Sequence, residues 1–284
     1  MTDMSAMLRW QPHPDAWLLI VLLLGGYTYA LSAWGRTGAP GRAAATTRQR
    51  VCFYAGVASI WLAADWPVKV LAESLFSVHM AQHLVFSLIA APLLLLGMPG
   101  WLLRKLLSPA PVQAVWRALT KPLVALVVFN VWIAVYHWPP VVNLSVTNDG
   151  FHLLAHAGWM VTSLIMWWPV LSPLPEMPHL SSPVRMIYLF GQSIVPTVPA
   201  SFLTFGESML YDVYGSAPLM FGLDPLVDQQ IAGLLMKIAA GFFIWGVIAV
   251  LFFRWSADSD SGAPDRLYWR DLGPGLETIT AGKR

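Results

Sequence analysis

Long apolar runs separated by short polar connections dominate the chain. Seven of these runs approach or reach the roughly 17 to 25 residues with which a helix crosses the hydrocarbon core of a bilayer. This pattern predicts an all-α polytopic membrane protein, a seven-helix transmembrane bundle. The predicted spans are residues 16–34, 51–68, 75–98, 123–138, 152–171, 186–205 and 229–253.

Basic residues are distributed unevenly between the predicted spans. Fourteen Lys and Arg residues lie on one side of the predicted bundle, whereas only Arg9 and Lys69 lie on the other side. Cytoplasmic connections carry the excess of Lys and Arg in membrane proteins. We therefore predict that the N-terminus is outside and the C-terminus is cytoplasmic. The predicted organisation is an outer N-terminal segment at 1–15, a seven-span transmembrane domain at 16–253 and a cytoplasmic tail at 254–284.

Composition agrees with this class and excludes several others. Hydrophobic residues make up 57% of the chain and charged residues only 11%, whereas soluble domains have about 25% charged residues. The single cysteine, Cys52, excludes an internal disulfide and a cysteine-only metal cage. The N-terminus lacks the pattern of a cleaved signal peptide, so we expect the first run to remain as a span. Since no phosphate-binding loop, nucleic-acid motif or local catalytic signature is present, we expect neither a nucleic-acid partner nor an enzyme.

Histidines mark one end of three predicted spans. His79 and His83 are four residues apart in the third run, with Met80 between them, and His152 and His156 repeat this spacing in the fifth run. Residues four apart on a helix lie on the same face, one turn apart. In the predicted orientation, both pairs and His137 at the end of the fourth run reach the same outer level of the membrane. The spacing therefore predicts one shared site.

The residue types indicate a soft metal ion. Imidazole binds zinc, copper and iron, and an added thioether shifts the preference towards copper(I). Cysteine is absent from this cluster and carboxylates are sparse, which argues against iron–sulfur clusters and hard cations. We therefore predict a copper(I) site. Its expected ligands are His79, Met80, His83, His137, His152 and His156.

Structural alternatives exist for these and for neighbouring residues. A single histidine in a membrane helix can join two helices by a hydrogen bond without binding a ligand. Met98 and Met166 are more simply explained as apolar packing, and Met160 continues the face that carries His152 and His156. Asp65, at the outer end of the second run, fits a solvated carboxylate at the membrane interface better than a site residue.

The sixth and seventh runs contain further polar or helix-breaking residues. Pro196 and Pro199 predict a break or kink in the sixth run. Asp228 begins the seventh run, where capping of its own helix explains it adequately. Lys237 follows about 13 Å further along the helix axis, which predicts a position near the middle of the membrane. A lysine at that depth requires an acceptor, a water-filled cavity or a bound anion.

Several ordered motifs resemble a known family. They are H-M-A-Q-H followed by A-P-L-L-L-L-G-M-P, then Y-H-W-P-P, F-H-L-L-A-H and W-W-P-V-L, and finally P-L-V-D-Q-Q-I-A-G-L-L-M. Over about residues 75–245 the chain is similar to the multi-span CtaG-like cytochrome c oxidase assembly factors. The matching positions are His79, His83, His137, His152, His156, Asp228, Gln229 and Gln230. The family pattern often has an acidic residue before the second histidine of the fifth span, where this chain has Ala155.

The resemblance implies a multi-pass protein of the bacterial plasma membrane that matures a haem–copper oxidase, by supplying or inserting copper. The expected partners are a cytochrome c oxidase subunit, a periplasmic copper chaperone and the lipid bilayer. Two other functions fit the histidines: a haem-binding electron-transfer protein, which would use them as axial ligands, and a copper permease. A non-haem metalloenzyme fits less well because the histidine cluster lacks carboxylates.

Overall fold

The computed structural model describes residues 10–215 and 221–260. These residues form helices joined by short connections, and none of them lies in a β-strand. Five helical segments are long and apolar enough to cross a membrane, and two bent helix pairs raise the number to seven if each pair is one span. The seven-span count and the orientation therefore stay predictions, whereas a helical membrane protein is confirmed. The nine residues before Trp10 and most of the predicted cytoplasmic tail, residues 261–284, lie outside the described residues.

We number the segments from one to seven in chain order, and each overlaps one predicted run. The first, third, fifth, sixth and seventh segments are Pro14–Gly38, Phe76–Gly97, Asp149–Leu171, Ser182–Phe205 and Pro225–Ser259. The second segment is Thr47–Ala64 with Val68–Ser74, which meet at 46°, and the fourth is Pro122–Tyr136, which follows Ala110–Leu119 at an 82° bend. Shorter helices in the connections are Gly100–Leu106, Pro139–Thr147 and Asp212–Gly215.

Three segments contain a short π-helical stretch. The first, third and seventh segments include Ala30–Trp34, Val85–Ala90 and Leu235–Ala239 respectively. A π-helical turn accommodates one extra residue, changes the direction of the side chains that follow and often occurs at functional sites. The stretch in the third segment begins two residues after His83, so it lies directly beside the predicted site.

The sixth segment breaks at a predicted proline, whereas the last helix ends later than the sequence pattern predicts. The sixth segment consists of Ser182–Ile194 and Thr197–Phe205, so the predicted break occurs at Pro196, while Pro199 lies in the first turn of the second helix. Proline is tolerated in a first turn because its missing N–H has no partner within the helix. The last helix continues to Asp260, beyond the predicted end at residue 253. No proline or glycine interrupts the chain between Gly246 and Asp260.

Burial separates an inner core from an apolar outer surface. The third and fifth segments are central, and Met166, Trp167 and Trp168 of the fifth are at most 2% exposed. In contrast, large apolar side chains on the first, sixth and seventh segments point outwards, including Phe202 and Phe242. Such exposure is costly in water but suits contact with lipid chains.

Candidate metal centre

Four histidines from the third and fifth segments form one cluster. His79 and His83 lie one turn apart, with their Nε2 atoms separated by 2.8 Å. The rings of His152 and His156 are 4.1 Å apart. Between the two segments, the ring centroids of His83 and His156 are 5.3 Å apart and those of His79 and His152 are 6.0 Å apart. The two pairs read from the sequence therefore face each other.

Hydrogen bonds orient part of this cluster. The Nδ1 atom of His152 lies 3.0 Å from the carbonyl oxygen of Ser145. Because a carbonyl oxygen can only accept, Nδ1 carries the proton and the lone pair of the neutral ring is on Nε2. The Nε2 atom of His156 is buried and has no hydrogen-bond partner. A carbonyl that fixes the tautomer of a histidine is a common outer partner in metal sites.

Tyr136 connects the two halves of the cluster, and sequence reasoning missed it. Its hydroxyl lies 3.0 Å from Nε2 of His79 and 3.1 Å from Oγ of Ser145, which in turn approaches His152. Tyr136 is 1% exposed. The sequence signal for Tyr136 is its position next to His137 within Y-H-W-P-P, but a tyrosine near a membrane interface is equally typical of an interfacial anchor.

His137 lies apart from the four histidines. Its Nδ1 donates to the carbonyl of Ile133 at 2.7 Å, and its Nε2 is buried without a partner. Its ring contacts are Tyr136 and Trp159, at 6.1 and 6.2 Å between centroids. The rings that contact His137 are therefore those of Tyr136 and Trp159, and neither belongs to a histidine.

Met80, the methionine predicted as a ligand, does not line the cavity that His79, His152 and His156 share. Met80 packs in an apolar cluster with Phe76 and Tyr211, because its position one residue after His79 turns it by about 100° around the helix. Met160 instead lines the same cavity as His79, His152 and His156.

This cavity has a volume of about 960 Å³ and runs alongside the third and fifth segments. Along the third segment it reaches from His79 to Leu95, about 24 Å at the helical rise of 1.5 Å per residue. Most of its wall is apolar, while charged residues gather near its histidine end: Asp15, Lys69, Glu73 and Asp149. His13 lies there too, and burial, followed by the charge of Lys69, lowers its pKa below the ordinary 6.5. Neutral His13 therefore adds no positive charge to the cavity mouth at pH 7.

The π-helical stretch next to the cluster is held by two tryptophans of the fifth segment. Trp159 donates from Nε1 to the carbonyl of His83 at 3.2 Å, and Trp167 donates to the carbonyl of Ser87 at 2.7 Å. The hydroxyl of Ser87 also donates to the carbonyl of His83 at 2.7 Å. Carbonyls released from regular helical bonding need such partners inside a membrane. The indole groups thus fix the backbone that carries His83.

Asp228 caps a different helix from the one predicted. The N-cap of its own helix is Asp224, whose carboxylate accepts from the N–H groups of Leu226 and Val227. The side chain of Asp228 accepts from the N–H of Phe76 at 2.6 Å and also pairs with the N–H and hydroxyl of Ser77. Helical rotation directs Asp228 inwards, one turn after Asp224. Asp228 therefore lies in the first turn of its own helix, as predicted, but the prediction that it caps this helix was wrong, and it caps the helix that carries His79 and His83.

Gln229 and Gln230 bind the backbone of the connection that follows the sixth segment. Gln229 accepts from the N–H of Leu210 at 2.7 Å, and Gln230 donates to the carbonyl of Gly206 at 3.1 Å. The same connection carries Tyr214, whose ring lies 6.2 Å from that of His79. The two glutamines thus fix the first part of this connection, and their hydrogen bonds are made to its backbone and not to the histidines.

Lys237 and Asp65 also lie outside the histidine cluster. Lys237 is exposed, and its Nζ is 5.9 Å from the ring centre of Phe205. Asp65 accepts from the indole groups of Trp17 and Trp61 at 2.9 and 2.7 Å, so it ties the first segment to the second.

Within the described residues, no three His, Cys, Asp or Glu side chains are arranged to hold a metal ion. The pair His79 and His83 illustrates why. Their Nε2 atoms, 2.8 Å apart, are closer than the roughly 3.3 Å that separates two nitrogens bound tetrahedrally at about 2.0 Å from one ion. The cluster therefore has suitable donors in a hydrogen-bonded arrangement, and binding a metal requires these two rings to separate.

Comparison with known proteins gives one match. The family model described as cytochrome c oxidase caa3 assembly factor (Caa3_CtaG) matches residues 25–258. Among curated proteins and solved structures, none matches the chain. The matched region includes the four clustered histidines, Tyr136, His137 and the Asp228 to Gln230 motif. This chain belongs to the cytochrome c oxidase caa3 assembly factor family.

Proposed function

We propose that the protein accepts copper(I) at His79, His83, His152 and His156 and delivers it to a subunit of a haem–copper oxidase during assembly. The observation that carries this proposal is the meeting of two histidine pairs from separate segments, with 5.3 Å between the rings of His83 and His156. Four imidazoles in one buried cluster exceed what helix packing needs, since one hydrogen bond is enough to join two helices.

The donor set favours copper(I) over other cargo. The cluster offers neutral imidazole nitrogens, with Met160 as the thioether that shares its cavity. Imidazole with thioether is a soft set, which selects copper(I) over magnesium, calcium or manganese. The buried Nε2 of His156 and the carbonyl that fixes His152 are consistent with such a site. Cargo binding also explains why His79 and His83 can hydrogen-bond to each other when no ion is held.

The cavity provides a route for exchange with partners. Its histidine end carries three carboxylates, Asp15, Glu73 and Asp149, against one lysine, Lys69. This local excess of negative charge attracts cations. We propose that a periplasmic copper chaperone supplies the ion at this mouth and that an oxidase subunit removes it by ligand exchange. The oxidation state of copper is unchanged in both steps.

The test is the copper content of purified protein after loading under reducing conditions, measured by elemental mass spectrometry. Compared with the parent, a His152→Ala/His156→Ala variant is expected to lose most of the bound copper. His179→Ala is the matched control, because His179 is exposed and belongs to a connection far from the cluster in sequence. Oxidase activity in cells that depend on each variant gives the second readout.

Two results would overturn the proposal. One is a parent that binds no copper, and the other is a pair variant that retains full copper binding and full oxidase maturation. A strong visible absorption from the purified parent would instead support haem binding by the same histidines. Monodisperse elution in detergent verifies that each variant is folded.

A further inference from the structure

A second, smaller cavity lies deeper in the bundle. Its volume is about 70 Å³, which corresponds to roughly five water molecules and suits an ion better than an organic ligand. Side chains of the third to seventh segments line it. The potential metal donors in its wall are Met80, His83, His137, Met166 and Met236. None of the other polar residues in the wall provides a carboxylate or a thiolate.

Two imidazole nitrogens at this cavity have unmet bonding capacity. Nδ1 of His83 and Nε2 of His137 are buried and lack hydrogen-bond partners, while their residues are 1% and 7% exposed. Since Nδ1 of His137 donates to the carbonyl of Ile133, the lone pair of its neutral ring is on Nε2. A buried nitrogen lone pair with no donor nearby is costly unless water or an ion occupies the space.

The three thioethers give the cavity a distinct chemical character. Met80 and Met166 are each 1% exposed and Met236 is 8% exposed, and they come from three different segments. Methionine can serve as packing, but three sulfur atoms and two imidazoles around one small cavity form a soft donor set.

We infer that this cavity is a second copper(I) site, with His137, Met80 and Met236 as ligands and His83 shared with the outer cluster. The inference rests on the proposed function and deepens it, because it adds a second copper(I) site. We call this site the inner site and the cluster of His79, His83, His152 and His156 the outer cluster. His83 forms part of the small cavity's wall, and its Nε2 faces His79, whose side chain lines the large cavity. Copper(I) passes between the two sites by ligand exchange without a change of oxidation state. A neutral imidazole has one lone pair, so His83 binds one ion at a time, through Nε2 or through Nδ1, and its ring proton moves to the other nitrogen during the exchange.

Lys237 is exposed and is not a copper ligand in this proposal. It is also part of the cavity wall, and the ring of Phe205, 5.9 Å from Nζ, attracts the ammonium group. The ammonium group therefore has a partner outside the donor set.

The experiment combines copper stoichiometry with X-ray absorption of the copper(I)-loaded protein. We expect about two copper ions in the parent and about one in Met80→Leu/Met236→Leu, together with a reduced sulfur signal. Methionine-to-leucine changes nearly conserve volume, so the fold is retained. The control is Met98→Leu/Met177→Leu, in which Met177 is 8% exposed like Met236 but packs in another cluster. This control is expected to keep both ions.

Separate results overturn the two proposals. A parent with a single copper ion, removed by His152→Ala/His156→Ala and unaffected by Met80→Leu/Met236→Leu, would eliminate the inner site and leave the outer one. A parent without copper would eliminate both. His137→Gln offers an independent check, because it is expected to remove the inner ion while the outer cluster keeps its four histidines.

Discussion

The carboxylate of Asp228 accepts a hydrogen bond from the backbone N–H of Phe76 at 2.6 Å, across 152 residues of sequence. Ser77 adds its N–H and its hydroxyl to the same carboxylate. The first N–H groups of a helix lack intrahelical partners and need a cap. For the helix Phe76–Leu84 this cap comes from the seventh segment. Asp228 thereby fixes the start of the helix three residues before His79.

Replacement of Asp228 by asparagine is expected to destabilise the protein and to loosen the histidine cluster. The change removes one charged acceptor oxygen from a carboxylate that is 3% exposed. A buried donor left unpaired costs about 1 to 3 kcal/mol. Thermal unfolding in detergent measures this loss, and copper retention measures the effect on the site.

The control for this change is Asp224→Asn. Asparagine is as good an N-cap as aspartate, so little change is expected at that position. Equal unfolding temperatures for the parent and both variants would contradict the capping role of Asp228.

Removal of the Tyr136 hydroxyl is expected to affect both stability and the site. Tyr136→Phe leaves His79 and Ser145 without their shared partner, at a cost of about 1 to 3 kcal/mol. Tyr188→Phe is a matched control, since Tyr188 is also buried and its hydroxyl donates to Met166 and accepts from Gln192. Both variants should unfold at lower temperature, but only Tyr136→Phe should weaken copper(I) binding in a competition with a chelator of known affinity. A similar affinity for the two variants would argue against a role of Tyr136 at the site.

The indole of Trp159 is expected to matter for the position of His83. Trp159→Phe removes the donor to the His83 carbonyl, whereas Trp167→Phe removes the equivalent donor to Ser87, one helical turn further along. Each lost hydrogen bond costs about 0.5 to 1.5 kcal/mol. Copper retention should fall for Trp159→Phe and remain near the parent value for Trp167→Phe. The opposite order would mean that the π-helical stretch does not position His83.

A pH effect is expected at the opposite end of the bundle from the histidines. Arg104 donates to Glu176 at 2.6 and 3.1 Å, and this hydrogen bonding lowers the pKa of Glu176 below its ordinary 4.5. A carboxylate with a lowered pKa in the folded state stabilises the protein above its unfolded pKa, and this contribution is lost as the pH falls through the folded value. Because both side chains are exposed, solvent screening keeps it below about 1 kcal/mol.

The measurement for this ion pair is the unfolding temperature of the parent and of Glu176→Gln at two pH values. The parent should be slightly more stable at pH 7, and the difference should shrink as the pH falls below the ordinary pKa of 4.5. A difference that persists at the lower pH would exclude the ionised pair as its cause.

The sequence pattern was enough to predict the helical membrane architecture and the meeting of the two histidine pairs. Each segment of the described residues overlaps a predicted apolar run, and the four-residue spacing of His79 with His83 and of His152 with His156 gave two faces that meet. Helical rotation also explains why the predicted ligand Met80 does not line the cavity of the histidines. Met80 adjoins His79 in sequence, but its side chain packs in another cluster. The same rotation places Met160, which follows His156 by four residues, on the face that carries His152 and His156, as the sequence indicates.

Other features depend on contacts that local sequence does not encode. The contact of Asp228 with Phe76 joins two segments that are distant in sequence. In the local sequence, capping of its own helix explains the same carboxylate equally well. The separation of His137 from the cluster follows from how Tyr136 and Trp159 pack beside it. Extra residues in a π-helical turn leave no clear pattern in hydropathy, so the stretch Val85–Ala90 was not predicted.

The long-range cap has a consequence for the order in which the chain matures in the membrane. During synthesis, Phe76 and Ser77 leave the ribosome long before Asp228 does, so the helix with His79 and His83 first exists without its carboxylate cap. Its unpaired N–H groups make its first turn prone to fray until the last segment inserts. The helix that carries His79 and His83 therefore gains its complete N-terminal cap only after the last segment has inserted.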